Sequence, residues 1–380
     1  MQCGCGSLAQ SLAQSSSAMN SSASSIPVLS GITALRITTP RLTTRVLFSG
    51  DERGVPVMFL HGNLTSATWW EETMLALPAG FRGIAPDLRG FGEADTAAVI
   101  DATRGMGDLA DDVLALMDKL GIRAAHLVGN SMGGNVIWRL LADAPERILS
   151  VTLSAPGSPF GFGGTKDVAG TPCYPDYAGT GAGLANAALL KAIAAGDRSL
   201  ANPFTPRSAM RALIFKPPFI AAREEELLSA MLQVHRGERA MPGDAVSSPN
   251  WTGFAPGKWG IVNAISGKYA NGAQIAARLA AFSSKPPVLW IRGADDLVVS
   301  NTAASDVGTL GLRGLIPNYP GKEVFPPQPM LDQIRAVLDR YKKAGGHAEE
   351  RVLENCGHAP HIEQPALFNQ YFHALLRTSR

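Results

Sequence analysis

An α/β fold with a largely parallel sheet is what this 380-residue chain predicts, on three observations. Short runs such as Val55 to Leu60, Ala125 to Val128, Leu149 to Leu153 and Pro287 to Ile291 are apolar without alternation. That is the pattern of strands buried on both faces. Between them lie stretches of helical spacing, as in Asp108 to Leu120, where Leu109, Val113, Leu114 and Met117 share one face. From about 155 to 282 the sequence turns Gly-, Pro- and Ala-rich, with helical pieces and no clear buried strand. Such a stretch reads as an insertion into the sheet.

The elements follow in order. The first 26 residues are Ser/Ala/Gln-rich and uncharged, so residues 1–29 are expected to be a disordered leader. They lack the basic start and continuous apolar centre of a secretory signal, and the first arginine is Arg36. Met19 offers an alternative start, and Cys3 and Cys5 form a C-x-C pair without companion ligands nearby. Ile32 to Thr38 and Leu42 to Phe48 alternate as paired strands around Pro40. The Val55 run ends in His61-Gly62-Asn63-Leu64, after which Thr65-Ser66 can cap a helix to about Leu77. Gly83 to Ala85 is a short strand before Asp87-Leu88-Arg89-Gly90-Phe91-Gly92. The Ala125 strand runs into Gly129-Asn130-Ser131-Met132-Gly133, and helical spacing follows to about Ala144.

In the insertion, helical pieces lie around Gly183 to Ala194, Ser208 to Ile214 and Ala221 to Gln233, with Asn271 to Ala281 leading back. The Pro287 strand ends in Arg292-Gly293-Ala294-Asp295-Asp296. A Pro-rich segment, a helix from about Met330 to Lys343, a strand Glu350 to Leu353 and Glu354-Asn355-Cys356-Gly357-His358 follow. Pro365 to Leu376 is the closing helix. The predicted division is a core of 30–155 and 283–380, with a mainly helical cap over 156–282.

Composition narrows the function. At 46% apolar and 17% charged, with net charge +2 and scattered Lys and Arg, nothing calls for nucleic acid or an anionic membrane surface. No apolar run reaches 18 residues, so no spanning helix is expected. Four irregularly placed cysteines make no disulfide framework, which points to a reduced, cytoplasmic setting. No metal or cofactor motif is recognised; Gly179 to Gly183 lacks the preceding strand and spacing of a nucleotide loop. Asn63-Leu64-Thr65 is formally a glycosylation sequon, and a glycan there would cover the loop after His61.

Ser131, His358 and an aspartate stand at three strand ends, where the side chains of an open α/β sheet converge. A histidine can take the proton of a poorly nucleophilic serine, and a carboxylate fixes the imidazole's tautomer. Gly129 and Gly133 leave room for a serine on a tight strand-to-helix turn. Asp295 and Asp296 compete for the carboxylate. His61 reads as holding its loop, and His361 as a surface or helix-start residue.

These pieces resemble the α/β-hydrolase superfamily over roughly 30–155 and 285–378. The matching motifs are His61-Gly62-Asn63, Asp87 to Gly92, Gly129 to Gly134, Gly293 to Asp296 and Gly357-His358-Ala359-Pro360. The resemblance implies an eight-stranded, mostly parallel sheet flanked by helices, with a cap. It implies Ser131 as nucleophile, His358 as base and Asp296, three after the glycine, as acid. It implies an oxyanion hole from the Met132 N–H and that of Asn63 or Leu64. Asp87 and Arg89 resemble a fold-stabilising motif. The Pro-rich segment between Asp296 and His358 is longer than such families usually carry, so an extra excursion is expected there.

The expected substrate is a small ester or lactone, cleaved through an acyl-Ser131 intermediate, with Trp251, Phe254 and Phe219 as candidate pocket aromatics. A serine at the turn argues against the branches that use aspartate there. Carbon–carbon bond hydrolases of ring-cleavage products are the alternative, since Gly129 to Gly134 looks very like theirs, though Ala359 stands where they commonly have tryptophan. Nothing specific points to an amidase. A non-catalytic receptor of the same fold is the alternative of another class. Oligomeric state leaves no readable trace.

Overall fold

The computed structural model describes residues 25–283 and 285–379. Eight strands form one sheet: β1 (Thr33–Thr38), β2 (Thr43–Gly50), β3 (Val55–Leu60), β4 (Phe81–Pro86), β5 (Ala125–Asn130), β6 (Ile148–Ser154), β7 (Val288–Gly293) and β8 (Ala348–Leu353). Their order is β1-β2-β4-β3-β5-β6-β7-β8, and only the pairings made by β2 are antiparallel. The apolar runs are explained by layers on both faces. In β3, Met58 and Leu60 join Leu127, Ile137 and Trp138 on one side, while Val57 and Phe59 join Trp70, Phe368 and Phe372 on the other.

The flanking helices are α1 (Glu71–Leu75), entered through a 3-10 turn Ala67–Trp70, α2 (Gly107–Lys119) and α3 (Met132–Asp143). Ser66 caps that turn, accepting the Thr68 N–H as the sequence suggested. The insertion between β6 and β7 carries α4 (Ala187–Ala194), α5 (Glu224–Leu232) and shorter turns before α6 (Gly272–Ala281) returns to the core. It also holds two short ribbons, 236–237 with 241–242 and 245–247 with 254–256, too brief to show as buried runs. Then come α7 (Val307–Leu312), α8 (Met330–Lys343), the one-turn α9 (Pro360–Glu363) and α10 (Pro365–Thr378). Among the described residues, no helix is long and apolar enough to cross a membrane.

The Pro-rich excursion is fastened to the start of that insertion. Gln328 donates to the Gly161 carbonyl at 3.1 Å and accepts the Gly163 N–H at 2.5 Å. Its amide also reaches Gln333 of α8, which takes the Ser158 hydroxyl and donates to Thr165. Buried amides with partners on all sides fix one arrangement.

One expectation about the chain's start needs amendment, and the others fall outside the structure. Cys3, Cys5, Met19 and the leader up to residue 24 lie outside the described residues. Residues 25–29, expected to belong to that leader, are ordered instead, with Ile26 buried among Trp69, Leu228 and Met231. The Leu29 N–H donates to Glu71 Oε2 at 2.8 Å, an oxygen that also meets Arg223 of the cap at 3.1 Å. A composition-based reading of disorder overlooks one isoleucine with a pocket waiting for it.

Below the site, Asp87 takes the buried Arg45 guanidinium at 2.9 and 3.1 Å and the N–H groups of Ala67 and Glu93, both at 2.9 Å. It thus joins β2, the α1 entrance and the turn after β4. Gly92, at φ 54°, leaves the room this carboxylate fills. Replacing Asp87 by Ala would take from the buried Arg45 its nearest, two-pronged carboxylate partner, which should cost about 3–5 kcal/mol in urea unfolding. A loss below about 1 kcal/mol, the range of exposed pairs, would count against that role.

Candidate active site

Ser131 sits between β5 and α3 with φ 53° and ψ −118°, a conformation that non-glycine residues rarely take. Its neighbours make the turn feasible. A Cβ on Gly129 would lie 2.6 Å from the Gly133 carbonyl carbon, a collision across the turn. One on Gly133 would run into the Leu60 carbonyl oxygen of β3, so that glycine serves the approach of the neighbouring strand. The Ser131 N–H donates to the Ser154 carbonyl at 3.1 Å, and its own carbonyl accepts from Gly134 and Gly157.

Asp296 and His358 come together. The imidazole Nδ1 lies 2.8 Å from Asp296 Oδ2, and both side chains are buried. Asp296 Oδ1 accepts the N–H groups of Val298 and Val299 at 2.8 and 2.9 Å, so the carboxylate cannot rotate freely. Asp295 points elsewhere, paired with Lys216 of the cap at 2.6 Å. With Nδ1 donating to the carboxylate, Nε2 is the nitrogen left to accept a proton. Asn130 ties the serine turn to the histidine loop, its amide reaching the Ser154 and His358 carbonyls at 3.0 and 3.1 Å.

The loop after β3 completes the group. A Cβ on Gly62 would lie 3.2 Å from Ser131 Cβ, so this backbone is pressed against the serine. His61 is fully buried, and its Nε2 accepts the Leu88 N–H at 2.9 Å. Nδ1 therefore carries the proton and donates to the Gly62 carbonyl at 2.8 Å, which the Thr65 hydroxyl also reaches at 2.8 Å. In a trans peptide the N–H opposes the C=O. Holding the Gly62 oxygen thus turns the Asn63 N–H the other way. The Leu64 N–H, by contrast, is engaged by Asn63 Oδ1 at 3.0 Å. The Met132 N–H opens α3, where no intrahelical acceptor exists.

Several expected or unsuspected residues fall in other places. His361 is buried rather than on the surface, stacked on Trp70 at 4.1 Å with Nδ1 3.2 Å from the Ser154 hydroxyl. The one-turn α9 folds it inward, which its position three residues after His358 did not reveal. Trp251 packs on Tyr319 and Phe325 and donates to the Pro317 carbonyl, so it serves the excursion. Phe254 is 46% exposed on a ribbon. Phe219 lies edge-on to Phe215, which stacks on Trp69 of the core. Beside this stack, the Ile214 carbonyl accepts the His358 N–H at 2.7 Å. A backbone carbonyl as partner of the histidine loop leaves no mark in a sequence. Among the described residues, no three His, Cys, Asp or Glu side chains gather as a metal-holding set.

A family model described as the alpha/beta hydrolase fold matches residues 55–326. Over 117 residues the chain is 39% identical to the 2-hydroxy-6-oxo-6-phenylhexa-2,4-dienoate hydrolase of Burkholderia cepacia, covering 30% of this chain and 40% of that one. Over another 117-residue match it is 32% identical to an uncharacterized carboxylesterase of Bacillus subtilis, covering 31% and 38%. The chain thus spans about two fifths of the length of these curated relatives. The solved structure of a 2-hydroxy-6-oxo-6-phenylhexa-2,4-dienoate hydrolase from Rhodococcus superposes with a TM-score of 0.56 at 20% identity, covering 91% of this chain and 99% of that one.

Burial holds the His61 imidazole down to about 4 and that of His361 down to about 3. Unfolded, both would protonate near the ordinary 6.5. Below that pH the unfolded chain binds more protons, so stability should fall as pH drops from about 6.5 towards 4. Each histidine should contribute roughly 1.4 kcal/mol per pH unit within its window. Urea midpoints taken from pH 7 to 4 check this, and a flat profile would refute neutral burial.

Proposed function

The chain belongs to the α/β-hydrolase fold family, and from that premise we propose that it is a serine hydrolase cleaving a carboxylic ester or lactone. What carries the reading is the His358–Asp296 pair at 2.8 Å together with Ser131 on its strained turn and the Gly62 loop against it.

His358 Nε2 takes the Ser131 proton as Oγ attacks the acyl carbon, and the carbonyl electrons move onto oxygen. Met132 N–H and Asn63 N–H receive that oxyanion; Leu64 N–H is the weaker candidate because Asn63 Oδ1 already holds it. Collapse breaks the bond to the alcohol oxygen, which leaves with the proton from His358. Water then attacks the acyl-Ser131 carbonyl, giving its proton to His358. The second collapse releases the acid, and Oγ recovers the proton. Asp296 stays ionised and holds the imidazole in its tautomer. Phe219 belongs to the aromatic stack beside His358 and is assigned to the acyl pocket wall; Trp251 and Phe254 are not.

Cleavage of a carbon–carbon bond in a dienoate is the second reading, favoured by the Burkholderia relative. A dienoate carries a carboxylate that a site must neutralise. Lys216, the cation in the cap segment that touches the histidine loop, is spent on Asp295. That supports an uncharged acyl group.

Short p-nitrophenyl esters should be turned over, and a fluorophosphonate should add one label at Ser131. Ser131→Ala should lose up to ~10⁶ in turnover, and Asp296→Asn about 10⁴, while Asp295→Asn stays far milder. Full activity in Ser131→Ala would sink the nucleophile. Bleaching of a dienoate chromophore with esters untouched would install the second reading.

A further inference from the structure

We propose that Glu363 is a positioning residue for His358, locking the base loop and the cap segment beside it into one geometry. The inference rests on the reading of His358 as the base. Glu363 ends α9, and its half-buried carboxylate gathers three backbone N–H groups from two parts of the chain. Oε2 accepts from Gly357 at 2.9 Å and from Lys216 at 2.8 Å, and Oε1 accepts from Ala359 at 3.2 Å. Gly357 and Ala359 are the residues on either side of His358. The histidine's own backbone is bound too, its N–H to the Ile214 carbonyl and its C=O to the Asn130 amide. Every peptide around the imidazole is thereby fixed, and the side chain inherits its direction from them.

Capping α9 would by itself explain only the Ala359 contact, a reach-back from the first turn to the residue before the helix. Gly357 lies outside that helix, and Lys216 belongs to the cap. The ammonium of Lys216 goes to Asp295, so it is the peptide of this residue that Glu363 holds. Burial pushes the Glu363 carboxyl up, against the pull of these three donors. A carboxylate suits three donors because both oxygens accept. Glutamine would offer one oxygen and turn its NH₂ towards an N–H.

The full-length protein tests this through Glu363→Gln and Glu363→Asp. Ester kcat and KM, the rate of fluorophosphonate labelling of Ser131, the low-field NMR resonance of the His358 Nδ1 proton and the thermal midpoint are read for each. In Glu363→Gln, kcat and labelling rate should fall roughly 10–100-fold, the scale of a displaced catalytic group, with KM little changed. The Nδ1 resonance should shift or broaden, and Glu363→Asp, one methylene shorter, should recover part of the rate. A folded Glu363→Gln with wild-type kcat, labelling rate and resonance overturns the assignment and leaves a helix cap, whose loss lowers only the thermal midpoint. If the glutamine variant does not fold, Glu363→Ala takes its place, and wild-type kcat, labelling rate and resonance there overturn it equally. His358→Ala run alongside separates the two claims. Its failure to be labelled keeps the base, whatever Glu363 does, whereas normal labelling brings down the base and this inference with it.

Discussion

Everything near the site follows from fitting Ser131 into a backbone conformation worth roughly 1–3 kcal/mol of strain. The turn persists because its surroundings leave no alternative. Gly129 and Gly133 give way where β5, α3 and β3 press together, and the Ser154 carbonyl holds the Ser131 N–H. That same carbonyl accepts Asn130, whose amide continues to the His358 carbonyl. The strain at Ser131 and the position of His358 are therefore maintained by one connected set of backbone groups. The Arg45–Asp87 pair performs a comparable service beneath the Gly62 loop, through Ala67.

What the sequence discloses is what side-chain type and spacing can encode. The Val55 to Leu60 run is apolar on both faces because helices cover both, and it is indeed β3. The glycines around Ser131 announce a turn that no other residue fits. Asp296 rather than Asp295 lies against His358, as the family resemblance implied. The hidden part is made of contacts without a residue signature. Ile214 takes part through its carbonyl, and Lys216 reaches Glu363 through its N–H. His361 looked exposed because a one-turn helix has no periodicity to read. Trp251 was an attractive pocket aromatic by type alone, but the excursion offers it Tyr319, Phe325 and the Pro317 carbonyl.

The excursion itself pins the insertion that follows β6. Between β7 and β8 the chain sends Gln328 to Gly161 and Gly163, and Gln333 to Ser158 and Thr165. These are the first residues of the insertion after Ser131's partner Gly157. One side of the insertion is thus riveted to the core close to the serine, and its other side meets the histidine loop at Ile214 and Lys216.

The segment 25–29 carries a consequence for how this molecule could be recombined. Ile26 lies where α5 of the cap meets Trp69 of the core, and Leu29 and Arg223 share the Glu71 carboxylate. The insertion is therefore not a self-contained module. A chimera that exchanged residues 156–282 for a homologous insertion would strip Arg223 from a buried acid and empty the seat of Ile26. Exchanging that insertion means moving residues 25–29 along with it.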